Sequence, residues 1–395
     1  MYSLLLAIIY LSFISLGLPD SLLGSAWPVM YGQLGVPVSF AGIVTMIIAG
    51  GTIISSLFSD FLTRKFGTGL ITAISVMLTA VALFGFSASG SFPLLCLWAV
   101  PYGLGAGAVD AALNNYVALH YTSRHMSWLH CFWGVGAAVS PYIMSYCLTG
   151  GLGWRREYFS VSLIQMILTA ILFVSLPLWK KRKSSFSDVS EISEAAPGLP
   201  QILRIKGIPY ILFTFFAYCA LESTAGLWAS SYLVEFRGIP SDTAARFASL
   251  FYLGITVGRF LCGFFADKVG DKLLIRWGIL ISAFGVILIG IPLHNTVALV
   301  GLVITGLGSA PIYPSVIHAT PSNFGKENSQ AVIGIQMASA YTGSTFMPPL
   351  FGLIAQNHIG LYPVYLLFFS FLMLILSEKL NKLTASRNSG VKTIA

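Results

Sequence analysis

Apolar runs of near membrane-spanning length recur from one end of this chain to the other, and that recurrence limits its fold more than any single motif. Inside hydrocarbon every backbone N–H and C=O must find a partner within the protein, so only helices and closed barrels span. These runs are continuous rather than alternating, which selects helices. Only 9% of the 395 residues are charged and 56% are hydrophobic, whereas soluble domains carry about 25% charged residues. The expected fold is therefore an all-α integral membrane protein. Twelve helices are expected near 3–27, 38–58, 69–90, 93–118, 126–148, 157–179, 208–233, 245–266, 273–292, 296–318, 329–355 and 361–379. The segment 1–17 lacks the basic start and the small-residue cleavage site of a signal peptide and reads as a retained first helix.

Charge placement sets the topology. Of the 22 Lys and Arg residues, Arg155, Arg156, Arg237 and Arg246 fall in one set of loops and Arg259 within a span; the rest lie on the opposite side with both termini. The positive-inside rule makes that side cytoplasmic, so the net charge of +8 reports topology and not a nucleic-acid partner. The expected location is the cell membrane, multi-pass, with both ends in the cytoplasm. The longest polar stretch, Lys180 to Lys206, leaves six spans on either side. Two pseudo-symmetric six-helix bundles are expected, 1–179 and 207–379, joined by a cytoplasmic linker, 180–206, and followed by a cytoplasmic tail, 380–395. The five cysteines all sit in apolar runs without paired or metal-type spacing and read as packing residues.

Four ionisable residues stand out within the spans: Asp20, Asp110, Glu222 and Arg259. Each costs roughly 2.5–3.5 kcal/mol at a helix centre, so each is expected to face a bundle interior or a wet cavity. Asp110 lies in "GLGAGAVDAALNNY" (103–116) and is the only Asp, Glu, Lys or Arg between Lys65 and Arg124. Asn114 follows at i+4 on the same face, with Asn115 beside it, and together they offer donors and acceptors suited to hydroxyl groups. Gly103, Gly105 and Gly107 read as close helix packing, since a nucleotide-binding turn would need a preceding strand. Asp20 follows Pro19, which has no N–H for the Ser15 carbonyl and so kinks the helix beside the acid. Trp27 lies two turns along that face, either as an aromatic plate for a sugar or as an interfacial anchor. His130, one turn from Trp133, reads either as a proton relay or as a membrane-edge hydrogen-bonding residue. Glu222 shares its face with Tyr218, Arg259 is placed to snorkel or to pair across the bundle, and Gln336 is deep enough to line a cavity, unlike Asn357. No metal cluster, nucleophile constellation or cofactor loop is visible, so neither an enzyme nor a bound cofactor is expected.

The loop "GRFLCGFFADKVGDK" (258–272) has a cousin in "GTIISSLFSDFLTRKFGTG" (51–69). Through Gly263, Asp267, Lys268, Gly270 and Lys272 the first of these resembles the gating-loop motif of the major facilitator superfamily, whose plan is also six plus six helices, and Arg259, just ahead of the motif in sequence, is grouped with that gate. In the other copy, aligned on Gly67, Arg64 and Lys65 stand where Asp267 and Lys268 stand, with Asp60 a turn earlier. Within that superfamily the fourth helix resembles that of the fucose/proton symporter group and its bacterial hexose/proton relatives, which carry an acid followed four residues later by asparagine. "MSWLHCFWGVGA" (126–137) and "ALESTAGLWASSYL" (220–233) resemble the group's fifth and seventh helices. Asn115 replaces the group's usual proline, and aspartate stands at 110 in place of glutamate.

The resemblance implies alternating access around a midplane cavity, with Asp110 coupling protons, Asp20 required for transport and Glu222 in a matching place. It implies a monomer that carries a small neutral hydrophilic solute, a monosaccharide first, driven by protons with sodium as the alternative ion. Two other readings stay open: proton-coupled efflux of amphiphilic compounds, and a membrane receptor or scaffold that transports nothing.

Overall fold

The computed structural model of the chain describes residues 2–20, 22–151, 153–184 and 199–392. Among them are sixteen α-helices and no strand: α1 Tyr2–Asp20, α2 Leu22–Leu34, α3 Ala41–Phe66, α4 Thr68–Ala88, α5 Phe92–His120, α6 Ser123–Thr149, α7 Gly153–Ser184, α8 Leu199–Leu203, α9 Ile208–Glu235, α10 Ser241–Val269, α11 Asp271–Gly290, α12 Asn295–Ser309, α13 Ile312–His318, α14 Thr320–Phe324, α15 Ser329–His358 and α16 Tyr362–Lys392. Ten segments are long and apolar enough to cross a membrane, and the last of them, Ser329–Ser386, takes in α15 and most of α16. The long helix left out is α6, whose first turns carry Ser123, Arg124, His125, Ser127 and His130. Large apolar side chains such as Phe58, Leu97, Val174 and Phe264 point outward, as lipid-facing surfaces do.

Several boundaries differ from expectation. The tenth span is interrupted where α12 ends at Ser309 and α13 begins at Ile312, because Pro311 has no N–H with which to continue the ladder. α7 starts at Gly153, ahead of 157, and α16 continues through the expected tail to Lys392, since no proline stops it. The linker contributes the end of α7 and α8; its residues 185–198 lie outside those described.

The chain divides into two compact units, residues 1–116 with 129–197 and residues 117–128 with 198–395. In the first, α7 packs against α4 and α1, over a core that includes Met30, Leu83, Phe86, Trp154 and Tyr158. α5 crosses α3 at its glycines: a Cβ on Gly103 or Gly107 would overlap the carbonyl oxygen of Ile48 or Thr52, and Gly105 likewise faces α4. This is the close packing read from the sequence. In the second unit α9 packs against α15 and α16, and α12 against α10 and α11.

The repeat shows in the backbone. Gly67, between α3 and α4, has φ 83 and ψ 151, and Gly270, between α10 and α11, has φ 81 and ψ 152. Only glycine is at ease there. A Cβ would meet nothing within 4 Å at either position, so the penalty for a side chain is purely conformational. Gly270→Ala is expected to destabilise the purified protein by about 1–3 kcal/mol, seen as a lowered unfolding temperature in detergent; an unchanged temperature would refute that account.

Candidate functional site

In the first unit α1 and α6 cross without intervening side chains, because Gly17 faces the Trp133 carbonyl and Gly136 faces that of Ile14. One turn beyond Gly17 comes Asp20, an exposed residue whose carboxylate accepts a hydrogen bond from Trp133 Nε1 at 2.9 Å and from the Tyr102 hydroxyl at 3.4 Å. Asp110 and its neighbours form a second chain of contacts. Asn114 Nδ2 donates to Asp110 Oδ1 at 2.8 Å, and Asn114 Oδ1 lies 3.0 Å from His130 Nε2. An amide oxygen only accepts, so with this amide orientation His130 carries its proton on Nε2. All three residues are buried, and Phe13 meets the imidazole edge-on with centroids 5.4 Å apart. Asn115 is buried beside them. Trp27 lies elsewhere: it is 5% exposed, sits in the apolar core and meets Phe92 edge-on. The aromatic ring beside Asp20 is Trp133, supplied by the crossing helix and not by Asp20's own strand of chain.

In the second unit Glu222 and Arg259 form a buried pair, Oε1 to Nη2 3.8 Å apart, with side chains 15% and 3% exposed. Arg259 Nη2 also donates to the Tyr218 hydroxyl at 3.4 Å, and its guanidinium lies 5.9 Å from the Tyr313 ring centroid. Arg259 was expected with the gating loop, but eight residues of helix, about 12 Å of rise, separate it from Asp267. It belongs to the Glu222 cluster. Gln336 is fully buried; its Oε1 accepts from Thr320 at 3.0 Å and its Nε2 has no hydrogen-bond partner among the described residues.

The loop motif is engaged within the second unit by residues 117–128. Asp267 accepts from the Arg124 backbone N–H at 3.0 Å, from its Nε at 2.9 Å and from Thr122 Oγ1 at 3.0 Å. Burial and the neighbouring Arg124 charge hold His125 below the ordinary histidine value, so the positive charge facing Asp267 at neutral pH is that of Arg124. Asp271, next to Gly270, accepts from Ser123 and contacts His318 Nδ1, each at 2.7 Å. Gly263 leaves the space that the Trp128 indole occupies. Lys272 Nζ donates to Thr384 at 3.2 Å, and Lys268 is exposed. The other copy behaves differently: Asp60 pairs with Arg64 on its own helix, 2.9 Å away.

Three residues of this unit-one network escape a reading from sequence. Tyr102 and Gln165 are ordinary polar members of apolar spans. Glu157 sits where the sixth span is expected to begin, but α7 starts one turn earlier and leaves it fully buried, Oε1 3.4 Å from Ser140 Oγ and Oε2 without a hydrogen-bond partner among the described residues. Among the described residues no cluster of three His, Cys, Asp or Glu is placed to hold a metal ion.

The chain is 24% identical over 405 residues to a protein named "Probable nitrate/nitrite antiporter NarK1" of Thermus thermophilus, covering 90% of this chain and 87% of that one. By structure it matches the proton:xylose symporter XylE bound to 6-bromo-6-deoxy-D-glucose, with TM-score 0.78, 13% identity and coverage of 96% and 95%. It also matches the fucose:proton symporter FucP of E. coli, with TM-score 0.74, 16% identity and coverage of 96% and 98%. At such identities the two structural likenesses speak for the fold. The profile of the family described as Major Facilitator Superfamily matches residues 9–248 and 210–380. Those two matches together run through nearly all the spans, and the chain is therefore a member of the major facilitator superfamily, a transporter and not an enzyme.

Proposed function

We propose that the chain is a proton-coupled symporter of a small neutral hydroxylated solute, a monosaccharide first, working by alternating access in the cell membrane with both termini cytoplasmic. The observation that carries the reading is the pairing, inside one unit, of the Asp110–Asn114–His130 chain with an Asp20 carboxylate held by Trp133 and Tyr102. Asp110 is the proton site, and Asn114 and Asn115 supply hydroxyl-binding groups. His130 is the next group through which a proton could pass. Asp20 with Trp133 gives a carboxylate beside an aromatic ring, the combination that grips a sugar's polar edge and apolar face. Glu222, Tyr218 and Gln336 are the corresponding groups of the second unit, and Asp267 with Arg124 restrains the cytoplasmic loop. Coupling follows if solute lowers the free energy of the closed form only when the acid is neutral. The likeness to xylose and fucose symporters supports a sugar.

The buried Arg259 favours a second reading, an anionic solute, in keeping with the nitrate/nitrite antiporter among its relatives. The Glu222 carboxylate 3.8 Å away already offsets that charge, which is why the neutral solute is placed first.

Cells expressing the protein are expected to alkalinise an unbuffered medium when given the right sugar among xylose, fucose, galactose and glucose, and Asp110→Asn to lose that response entirely. Continued proton uptake by the variant would remove Asp110 as the coupling site. Uptake driven by nitrate but by none of the sugars would replace the first reading by the second.

A further inference from the structure

Pro19 lies inside α1, and having no N–H it leaves the carbonyl of Ser15, four residues earlier, without its helical donor. In a membrane span such a group needs a donor from another helix. Gln165 of α7 provides it: Nε2 donates to the Ser15 carbonyl at 2.7 Å. The other end of the same carboxamide, Oε1, lies 2.9 Å from the Thr79 hydroxyl of α4. A flipped amide would set its oxygen against the Ser15 oxygen, so the orientation is fixed. Gln165 is 1% exposed and Thr79 2%, and the contact therefore works without competition from water. One buried side chain ties α4, α7 and α1 together at the carbonyl that Pro19 leaves without a helical donor, five residues, or about 7.5 Å of rise, before Asp20.

We propose that Gln165 is a positioning residue for Asp20, fixing the proline break so that the carboxylate reaches Trp133 Nε1. The proposal rests on the reading of Asp20 as a functional acid. A tie of this kind has two separable effects. It satisfies a carbonyl, which stabilises the fold, and it sets a direction for the helix end, which places a carboxylate 2.9 Å from an indole on another helix. Hydrogen bonds weaken steeply once that separation exceeds about 3.5 Å, so a small reorientation of α1 is enough to lose the contact.

The test uses the full chain labelled with 5-fluorotryptophan, the fluorine resonance of Trp133 being assigned by its loss in Trp133→Phe. Asp20→Asn gives the position of that resonance with the carboxylate changed. Gln165→Leu is expected to move the Trp133 signal away from its wild-type position, as Asp20→Asn does, while signals of tryptophans remote from α1 stay in place. Pro19→Ala added to Gln165→Leu returns a backbone N–H to the Ser15 carbonyl. It is expected to restore thermal stability yet leave the Trp133 signal displaced, because α1 is then straight. If Gln165→Leu proves too unstable to measure, the double variant alone decides. A wild-type Trp133 signal in either variant overturns the proposal, since Gln165 would then do no more than satisfy a carbonyl. No solute enters this measurement. If Asp20→Asn still takes up protons with sugar as the wild type does, the functional reading of Asp20 fails by itself, whatever the fluorine spectra give.

Discussion

Gly136→Leu is expected to abolish the proposed sugar-driven proton uptake and to lower thermal stability, and Gly17→Leu to do the same from the other side of the contact. The two glycines are reciprocal. A Cβ on Gly17 would overlap the Trp133 carbonyl and reach the Ala137 nitrogen at 2.9 Å, and one on Gly136 would overlap the Ile14 carbonyl and reach the Leu18 nitrogen at 3.0 Å. Backbone stands against backbone, so no neighbouring rotamer can make room. The helices must move apart towards the separation of about 8–10 Å that ordinary side chains impose. Overpacking of this kind costs about 1–3 kcal/mol when the surroundings adjust, and the fixed backbone puts these positions at the upper end of that range. The functional loss is larger than the stability loss. Asp20 belongs to α1 and Trp133 to α6, so any separation is spent directly on a 2.9 Å hydrogen bond. Gly136→Ala should give an intermediate effect. Gly32→Ala, where a Cβ meets nothing within 4 Å, should be neutral or slightly stabilising. Wild-type proton uptake by Gly136→Leu would show that the crossing does not position the site.

The membrane architecture was legible because hydrocarbon leaves the backbone few options, and the repeat was legible because two loops share a glycine turn. Contacts within one helix were legible too: i, i+4 spacing alone brings Asn114 to Asp110. What a spacing rule cannot give is the neighbour on another helix. His130 and Trp133 both come from α6: Trp133 meets Asp20 through the Gly17–Gly136 crossing with α1, His130 meets Asn114 on α5, and no local pattern reveals either neighbour. Trp27 failed for the complementary reason, since a face projected along one helix does not say which neighbour covers it. Closeness in sequence groups Arg259 with the loop motif, whereas rise along a helix sets it about two turns from Asp267, beside Glu222. Glu157 escaped because a boundary error of one turn decides whether an acid is in a loop or in the interior. Gln165 carried a readable clue: a proline in α1 predicts an orphaned carbonyl at Ser15, and a buried amide elsewhere is the natural donor, but the helix that brings it there was not deducible.

Glu222→Leu is expected to destabilise the protein by about 3–5 kcal/mol, and Arg259→Leu by less. The difference comes from what each substitution leaves behind. Without Glu222, the guanidinium of Arg259, whose side chain is 3% exposed, keeps the Tyr218 hydroxyl and the Tyr313 ring near it but has lost its carboxylate. An arginine cannot shed its proton to escape that cost. A carboxylic acid left alone can neutralise itself by binding one, and Glu222, whose side chain is 15% exposed, has the better access to water. The double variant Glu222→Leu with Arg259→Leu should recover most of the stability, because two apolar side chains replace two buried charges. Unfolding temperatures of the four proteins in one detergent close this cycle; equal losses for the two single variants would contradict the argument from asymmetry. Transport by the double variant then separates two roles that stability cannot. If the pair only holds α9 to α10, the recovered protein should take up solute as the wild type does. If the pair meets solute or proton, the double variant should be well folded and inactive, since the groups that respond to occupancy are gone while the packing they sat in remains.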